Sequence, residues 1–306
     1  MIKLEYKGVD ITGKVSINTC YHDMYAENKA DGLYLRVNDV NHIWDTWQPK
    51  PNDEIKVTYG AISTGKMYVV QCTPVNGLYV IKATAAPPGY KKKNSKAWQQ
   101  VKLLQIAQEI AGRHGLEFKQ YGVTNQQYQY ILQANMDDFT FLSRLCRLES
   151  CALIIYDGTL TMYSQQYMEN QGTNEQIELS TDADYEFYDR SATLYGSCEI
   201  EGGIYDGSFK VNNGADTVLR ATSFVNIGSS AEASRYAMGL LRDANKNAMT
   251  GYIRGDISLG YAAGSCANIK NPRASSWDGD VFLYHVRNDY ANNESKLFFR
   301  KPLEGY

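Results

Sequence analysis

The sequence predicts an α+β protein that is mostly β, with two β-rich regions and one α/β segment between them. Three observations carry this reading. Short alternating apolar runs recur through residues 1–90 and again from 191 onward, punctuated by Asn-Gly and Asp-Gly dipeptides. Within the first two-thirds of the chain, strong helical periodicity is confined to residues 98–163. Pro87-Pro88-Gly89 and the polar basic run Lys91 to Lys96 interrupt the first β pattern and mark a boundary.

In the first region Ile2, Leu4 and Tyr6 alternate, as do Leu33, Leu35 and Val37, and then Ile55, Val57 and Tyr59. Val75-Asn76-Gly77 separates two further strand-like runs, a pairing that favours a tight hairpin. In the central segment Val101, Leu104, Ala107 and Ala111 recur at helical spacing, widened by Leu103, Ile106 and Ile110, until His114-Gly115 stops the helix. Leu116 and Phe118 alternate like a short strand. A second helix is expected after Asn135, capped there with Asp138 three residues on, and Phe139, Leu142, Leu145 and Cys146 give it one apolar face. Leu153 to Tyr156 and Thr159 to Tyr163 flank Asp157-Gly158, a type I′ hairpin signal.

The polar stretch from Ser164 to Gln176 has no periodicity and is expected to be a linker returning to the first region. Strands are expected over Ala192 to Ile200, Ile204 to Val211 and Thr217 to Val225, with turns at Asp206-Gly207 and Asn213-Gly214. Ser229 with Glu232 reads as a capping box, opening an amphipathic helix through Ala233, Leu240, Leu241 and Ala244. Four strand-like runs close the chain, with a turn at Asp278-Gly279.

The 306 residues exceed a typical single domain, and 43% hydrophobic against 21% charged residues is ordinary for a protein with a real core. A net charge of −3 gives no bulk-charge argument for nucleic acid or membrane. The opening Met-Ile-Lys-Leu-Glu-Tyr-Lys has no apolar signal region, which sets the expectation of synthesis and retention in a cytoplasm. Six scattered cysteines are expected to be reduced thiols. Tyrosine is abundant, 24 against nine phenylalanines, which fits either interfaces or simply β structure.

Candidate chemistry is thin. Gly60 to Lys66 has phosphate-loop spacing, but Met67 stands where a hydroxyl is needed and a strand follows where a helix is needed. His22, His42, His114 and His285 share no metal-ligand spacing. The acid pairs Asp182/Asp184, Glu199/Glu201 and Asp278/Asp280 have the two carboxylates a glycosidase needs, but their spacing by two fits solvated faces or turns. The Lys91 to Lys96 run lacks the stacking aromatics of a nucleic-acid site. No catalytic, cofactor-binding or metal-binding residue is therefore assigned.

The phrases LLQIAQEIAGRHGLEF, YILQANMDDFTFLSRLCRLESCALIIYDGTLTMY and KPNDEIKV resemble the late control protein D family, the baseplate hubs of phage tails and related injection particles. The likeness is densest over Trp98 to Tyr163 and continues through GDVFLYHVRNDY and KLFFRKPLEG. It implies two β-barrel domains of the tail-tube type, residues 1–90 with about 170–190 and residues 191–306 with one flanking helix, around an inserted α/β subdomain at 95–165. It also implies a homotrimer joining the sixfold tail tube to the threefold central spike, with no cofactor and no catalytic residues. The partners it implies are the tube ring, the spike, and the tape measure and other baseplate proteins, without membrane or specific nucleic acid. Such a chain resides in the tail baseplate of a virion or tail-like particle assembled in the bacterial host cytoplasm. A cell-wall hydrolase or carbohydrate-binding module of the same particle is the alternative.

Overall fold

The computed structural model describes all residues except 174, 181–182, 202–203 and 223–226. The first β region contains β1 (Ile2–Tyr6), β2 (Val9–Asp10), β3 (Ser16–Tyr25), β4 (Gly32–Asn38), the short helix α1 (Ile43–Trp47), β5 (Glu54–Tyr59), β6 (Ile62–Ser63), β7 (Met67–Val75) and β8 (Leu78–Thr84). Their alternation is real: Leu33, Leu35 and Val37 are buried around Trp44, as are Ile55 and Val57. Asn76 and Gly77 both have positive φ and turn β7 into β8 as a two-residue hairpin.

The central segment runs β9 (Lys93–Lys102), α2 (Leu103–Arg113), β10 (Glu117–Tyr121), β11 (Gln127–Asp137), α3 (Asp138–Leu148), β12 (Cys151–Tyr156) and β13 (Thr159–Ser164). The two helices and the Asp157-Gly158 hairpin stand where the sequence puts them. Leu142, Leu145 and Ile110 share one core with Leu153, Leu160 and Met162, and Phe139 and Leu104 pack at its edge. Two local expectations fail. The basic run, expected as a boundary loop, is strand from Lys93 onward, because β9 pairs antiparallel with β11 to form a ribbon whose partner lies some thirty residues away. Asn135 does not cap α3 either; it takes φ +47° in a bulge, and the Asp137 carboxylate accepts from Thr140 N at 2.8 Å as the cap. Asp138 is instead a buried acceptor for Asn94, Arg113 and Gln133 at 2.8–3.0 Å, binding both ribbon strands to both helices.

The rest of the chain comprises α4 (Gln165–Glu169), β14 (Glu175–Glu178), β15 (Tyr185–Asp189), β16 (Ser197–Ile200), β17 (Gly207–Lys210), β18 (Val218–Ala221), α5 (Ser230–Asn245), β19 (Met249–Asp256), β20 (Cys266–Lys270), β21 (Gly279–Asp289) and β22 (Glu294–Arg300). The strands expected over Ala192 to Ile200 and Ile204 to Val211 are shorter than those runs, and part of the one expected over Thr217 to Val225 lies outside the described residues. The expected linker holds a helix, with Gln165 and Glu169 buried. Residues 175–178 and 185–189 do not return to the first region; β14 pairs with β20 and β15 with β19. Helix α5 packs on α3, β16 and β17, and its buried residues join the central core. Gly239 permits that approach, since a Cβ there would sit 2.2 Å from the Leu148 carbonyl oxygen.

The protein is mostly β, as expected, but none of its sheets closes into a barrel among the described residues. One sheet runs through both β regions in the order β15-β19-β22-β21-β3-β4-β8-β7-β5-β1-β2, with β20 and β14 continuing from the first half of β21. Strand β21 explains the open form. Its Gly279–Phe282 end pairs with β20, and its other half, from His285, pairs with β3. A bulge between Leu283 and His285 marks the change.

Leu142 is completely buried, so Leu142→Ala should lower stability by about 2–5 kcal/mol in chemical denaturation, mainly through the cavity it leaves. An unchanged unfolding midpoint would show that this core is not packed as described. All six cysteines are free and only Cys72 is not buried. Thiol titration should therefore label Cys72 first in native protein and all six after denaturation; a native protein with several fast thiols would contradict that burial.

Candidate functional site

The sequence candidates are dispersed. His22 shares a hydrogen bond with the Tyr290 hydroxyl at 2.8 Å, and His114 meets Asp138 at 3.1 Å. His285 meets Asp23 at 2.7 Å between the stacked rings of Tyr25 and Phe298, while His42 begins α1 in a left-handed conformation. Among the described residues no three His, Cys, Asp or Glu side chains converge as metal ligands. Asp278 accepts from the Asn271 backbone at 2.7 Å, Asp280 from Asn268 at 2.8 Å, and Glu199 pairs with Arg220. Asp184 pairs with Arg254, and its neighbour Asp182 lies outside the described residues.

The Gly60 to Lys66 motif turns out to be a docking turn. Lys66 N donates to the Asp157 carboxylate at 2.8 Å, and Tyr156 donates to the Ser63 carbonyl at 3.1 Å. Gly65 has φ +64°, and a Cβ there would come within 2.7 Å of Asp157. Together with Asn28 N donating to Leu153 O at 2.9 Å, these bonds seat the central hairpin on the first β region.

A buried ionic junction ties the parts together. Arg300, at the end of β22, is completely buried and lies between Glu27 at 2.8 Å and Glu169 of α4. Arg242 of α5 binds the same Glu169 and Gln165, and Lys246 reaches Glu27 at 2.6 Å and Asp243 at 2.9 Å. Leu303 N donates to Glu169 at 3.2 Å, so the C-terminal tail is held here too. Burial pushes the Glu27 carboxyl up, but Arg300 and Lys246 outweigh it and hold the group at about 2. Little in the sequence signals this junction, because its members lie as much as 273 positions apart and only folding brings them together.

Two clefts flank the docked segment. One of 830 Å³ is lined by Lys29, Lys91, Lys93 and Arg144, with Asp137 and the ion pair Arg147–Asp243. The other, of 460 Å³, is lined by Tyr25, Tyr121, Tyr156, Tyr261 and Leu259.

The two β regions repeat one plan. If the six strands that each contributes to the large sheet are numbered along the chain, leaving out the two-residue β2 and β6, both read 2-3-6-5-4-1, as β3-β4-β8-β7-β5-β1 and β15-β19-β22-β21-β20-β14. All neighbours are antiparallel in the first region; in the second, only β14 with β20 is parallel. The two copies are joined head to tail, strand 5 of the second against strand 2 of the first.

No family model and no curated protein matches the sequence. Solved structures do. The 43 kDa tail protein of prophage MuSo2 from Shewanella oneidensis superposes with a TM-score of 0.76 at 12% identity, covering 97% of each chain. This is a phage-tail-protein fold. A tail protein from Neisseria meningitidis gives 0.75 at 10% identity, over 98% of this chain and 95% of that one. A type VI secretion component of E. coli, described as similar to T4 tail proteins gp27 and gp5, gives 0.64 at 10% identity over 99% of this chain and 78% of its own.

Glu27 supplies a pH test. Its folded pKa lies below the ordinary 4.5, so its stabilisation is complete above that value and is lost as pH falls toward 2. The loss should be on the order of 3 kcal/mol across that window. Glu27→Gln should flatten this part of the melting temperature against pH curve; an acid limb identical to wild type would exclude the pairing.

Proposed function

We propose that the chain is the structural hub of a phage tail or tail-like injection particle, a homotrimer that adapts the sixfold tail tube to the threefold spike. The observation that carries this is the repeated six-strand plan joined head to tail within one chain. Three chains, each with two like regions in the same sense, supply six similar positions while keeping threefold symmetry. A tube ring meets the six positions, and a spike meets the three-chain face. The likeness to tail proteins, and to a chain of the Francisella PdpA-VgrG complex at a TM-score of 0.57, 9% identity and 57% of that chain's length, supports the same reading. The inserted segment, residues 93–164, and α5 then form the outer body that buttresses the ring, fixed by the docking turn and the ionic junction. The expected boundaries near 90 and 191 shift in this reading, since residues 175–178 and 185–189 pair within the second region.

Cryo-electron microscopy of the intact particle tests it. Three copies are expected at the junction of tube and spike, each placing both β regions in one ring. Six copies, or a position elsewhere on the tail, would remove the adaptor role.

A further inference from the structure

Strand 5 of each region is bent in the same place, and that likeness extends to the residue. In the second region one ladder row runs Tyr185–Ile253–Leu297–Val286 across β15, β19, β22 and β21. In the first, the corresponding row runs Cys20–Leu35–Ile81–Cys72 across β3, β4, β8 and β7. The bulges agree with this match, between Leu283 and His285 in β21 and between Val69 and Gln71 in β7, each three to one residues before its row member.

Beyond its bulge β21 stays paired with β22 but exchanges β20 for β3 on its other side, Val286 against Met24 and Arg287 against Asp23. Beyond its bulge β7 does something simpler. Its paired contact with β5 covers only Met67 and Tyr68, and from Gln71 to Val75 it is bonded to β8 alone. At the far end of the same sheet β15, the counterpart of β3, is bonded only to β19 among the described residues. Val70, Val75 and Tyr188 are between 40 and 46% exposed at these two edges. The chain therefore carries one half of its internal joint at each end of the sheet.

We infer that a second copy of this chain occupies that edge, with β7 residues 71–75 of one copy pairing antiparallel to β15 of the next. This rests on the trimer reading and names its interface. Transferring the internal register fixes the partners: Cys72 faces Asp189, Thr73 faces Tyr188, Pro74 faces Phe187 and Val75 faces Glu186 of the neighbour. The hydrogen-bonding phase fits. The two-residue turn makes Val75–Leu78 a bonded pair, so Cys72 and Pro74 turn their backbone groups outward. Arg190 N donates to Ala248 O, so Asp189 and Phe187 also turn theirs outward. Outward groups thus meet outward groups at both positions. Pro74 contributes only its carbonyl, which leaves the joint one donor short of its internal model. The same proline makes the free edge a poor template for indiscriminate strand addition. Head-to-tail pairing of this kind closes only as a ring, and two regions per chain set that ring at three chains for a sixfold plan.

Disulfide trapping in assembled particles tests the register. Thr73→Cys with Tyr188→Cys, in a Cys72→Ser background, places the thiols on a non-bonded antiparallel pair about 4.5 Å apart at Cα, within disulfide reach. Val75→Cys with Glu186→Cys is the second pair, for use if the first destabilises the chain. Oxidation should give a covalent trimer on non-reducing gels that neither single cysteine variant gives. Particles with three copies at the hub and no cross-link from either pair would overturn this pairing while leaving the hub reading intact. Cross-linked ladders that continue past three chains would confirm the edge but defeat the trimeric adaptor.

Discussion

The antiparallel pairing of β21 with β3 is the constraint on which the molecule depends. One bent strand serves two neighbours on the same side, β20 first and β3 second, and so fuses two separate plans into one sheet. Backbone groups at a sheet edge must find partners or water, and this arrangement removes two edges that independent regions would have exposed. Side chains reinforce the seam. Asp23 accepts from Arg287 through both oxygens and from His285, and although burial raises its carboxyl, those donors bring it below the ordinary value.

The ionic junction does for the outer body what that seam does for the sheet. Arg300 and Arg242 are inaccessible to water, and Glu169 lies between them. Buried ion pairs add little net stability against an apolar alternative, but loss of one member strands the others in a low dielectric. Glu27 comes from the β3–β4 connection, Glu169 from α4, Arg242 from α5, Lys246 from the residue capping α5 and Arg300 from β22. Any relative displacement of those elements breaks charge-assisted bonds, which makes the junction a lock on placement.

Part of the tyrosine excess serves the interior. Tyr128 donates to Glu149 and Tyr163 to the Ala26 carbonyl, each joining separate elements, while Tyr236 donates to Glu232 within α5. Tyr121, Tyr156 and Tyr188 remain exposed, so composition by itself conflated two uses of one residue.

Local chemistry made much of the chain legible in sequence. Asn76-Gly77 and Asp157-Gly158 require positive φ at two successive residues, and few structures other than a tight hairpin supply it. The apolar stripes of α2, α3 and α5 follow from period alone, as does the alternation of Leu33, Leu35 and Val37. What tertiary structure decided depends on partners distant in the chain. Lys93 to Lys102 has weak strand character and becomes β9 because β11 offers a ladder; residues 175–178 and 185–189 join the second region because β20 and β19 offer free edges. The open sheet in place of two closed barrels follows from the bend in β21, and the junction at Arg300 from charges brought together by folding. Turn and period are properties of neighbouring residues, and sequence carries them directly; strand partnership and buried charge pairing are properties of the assembled core.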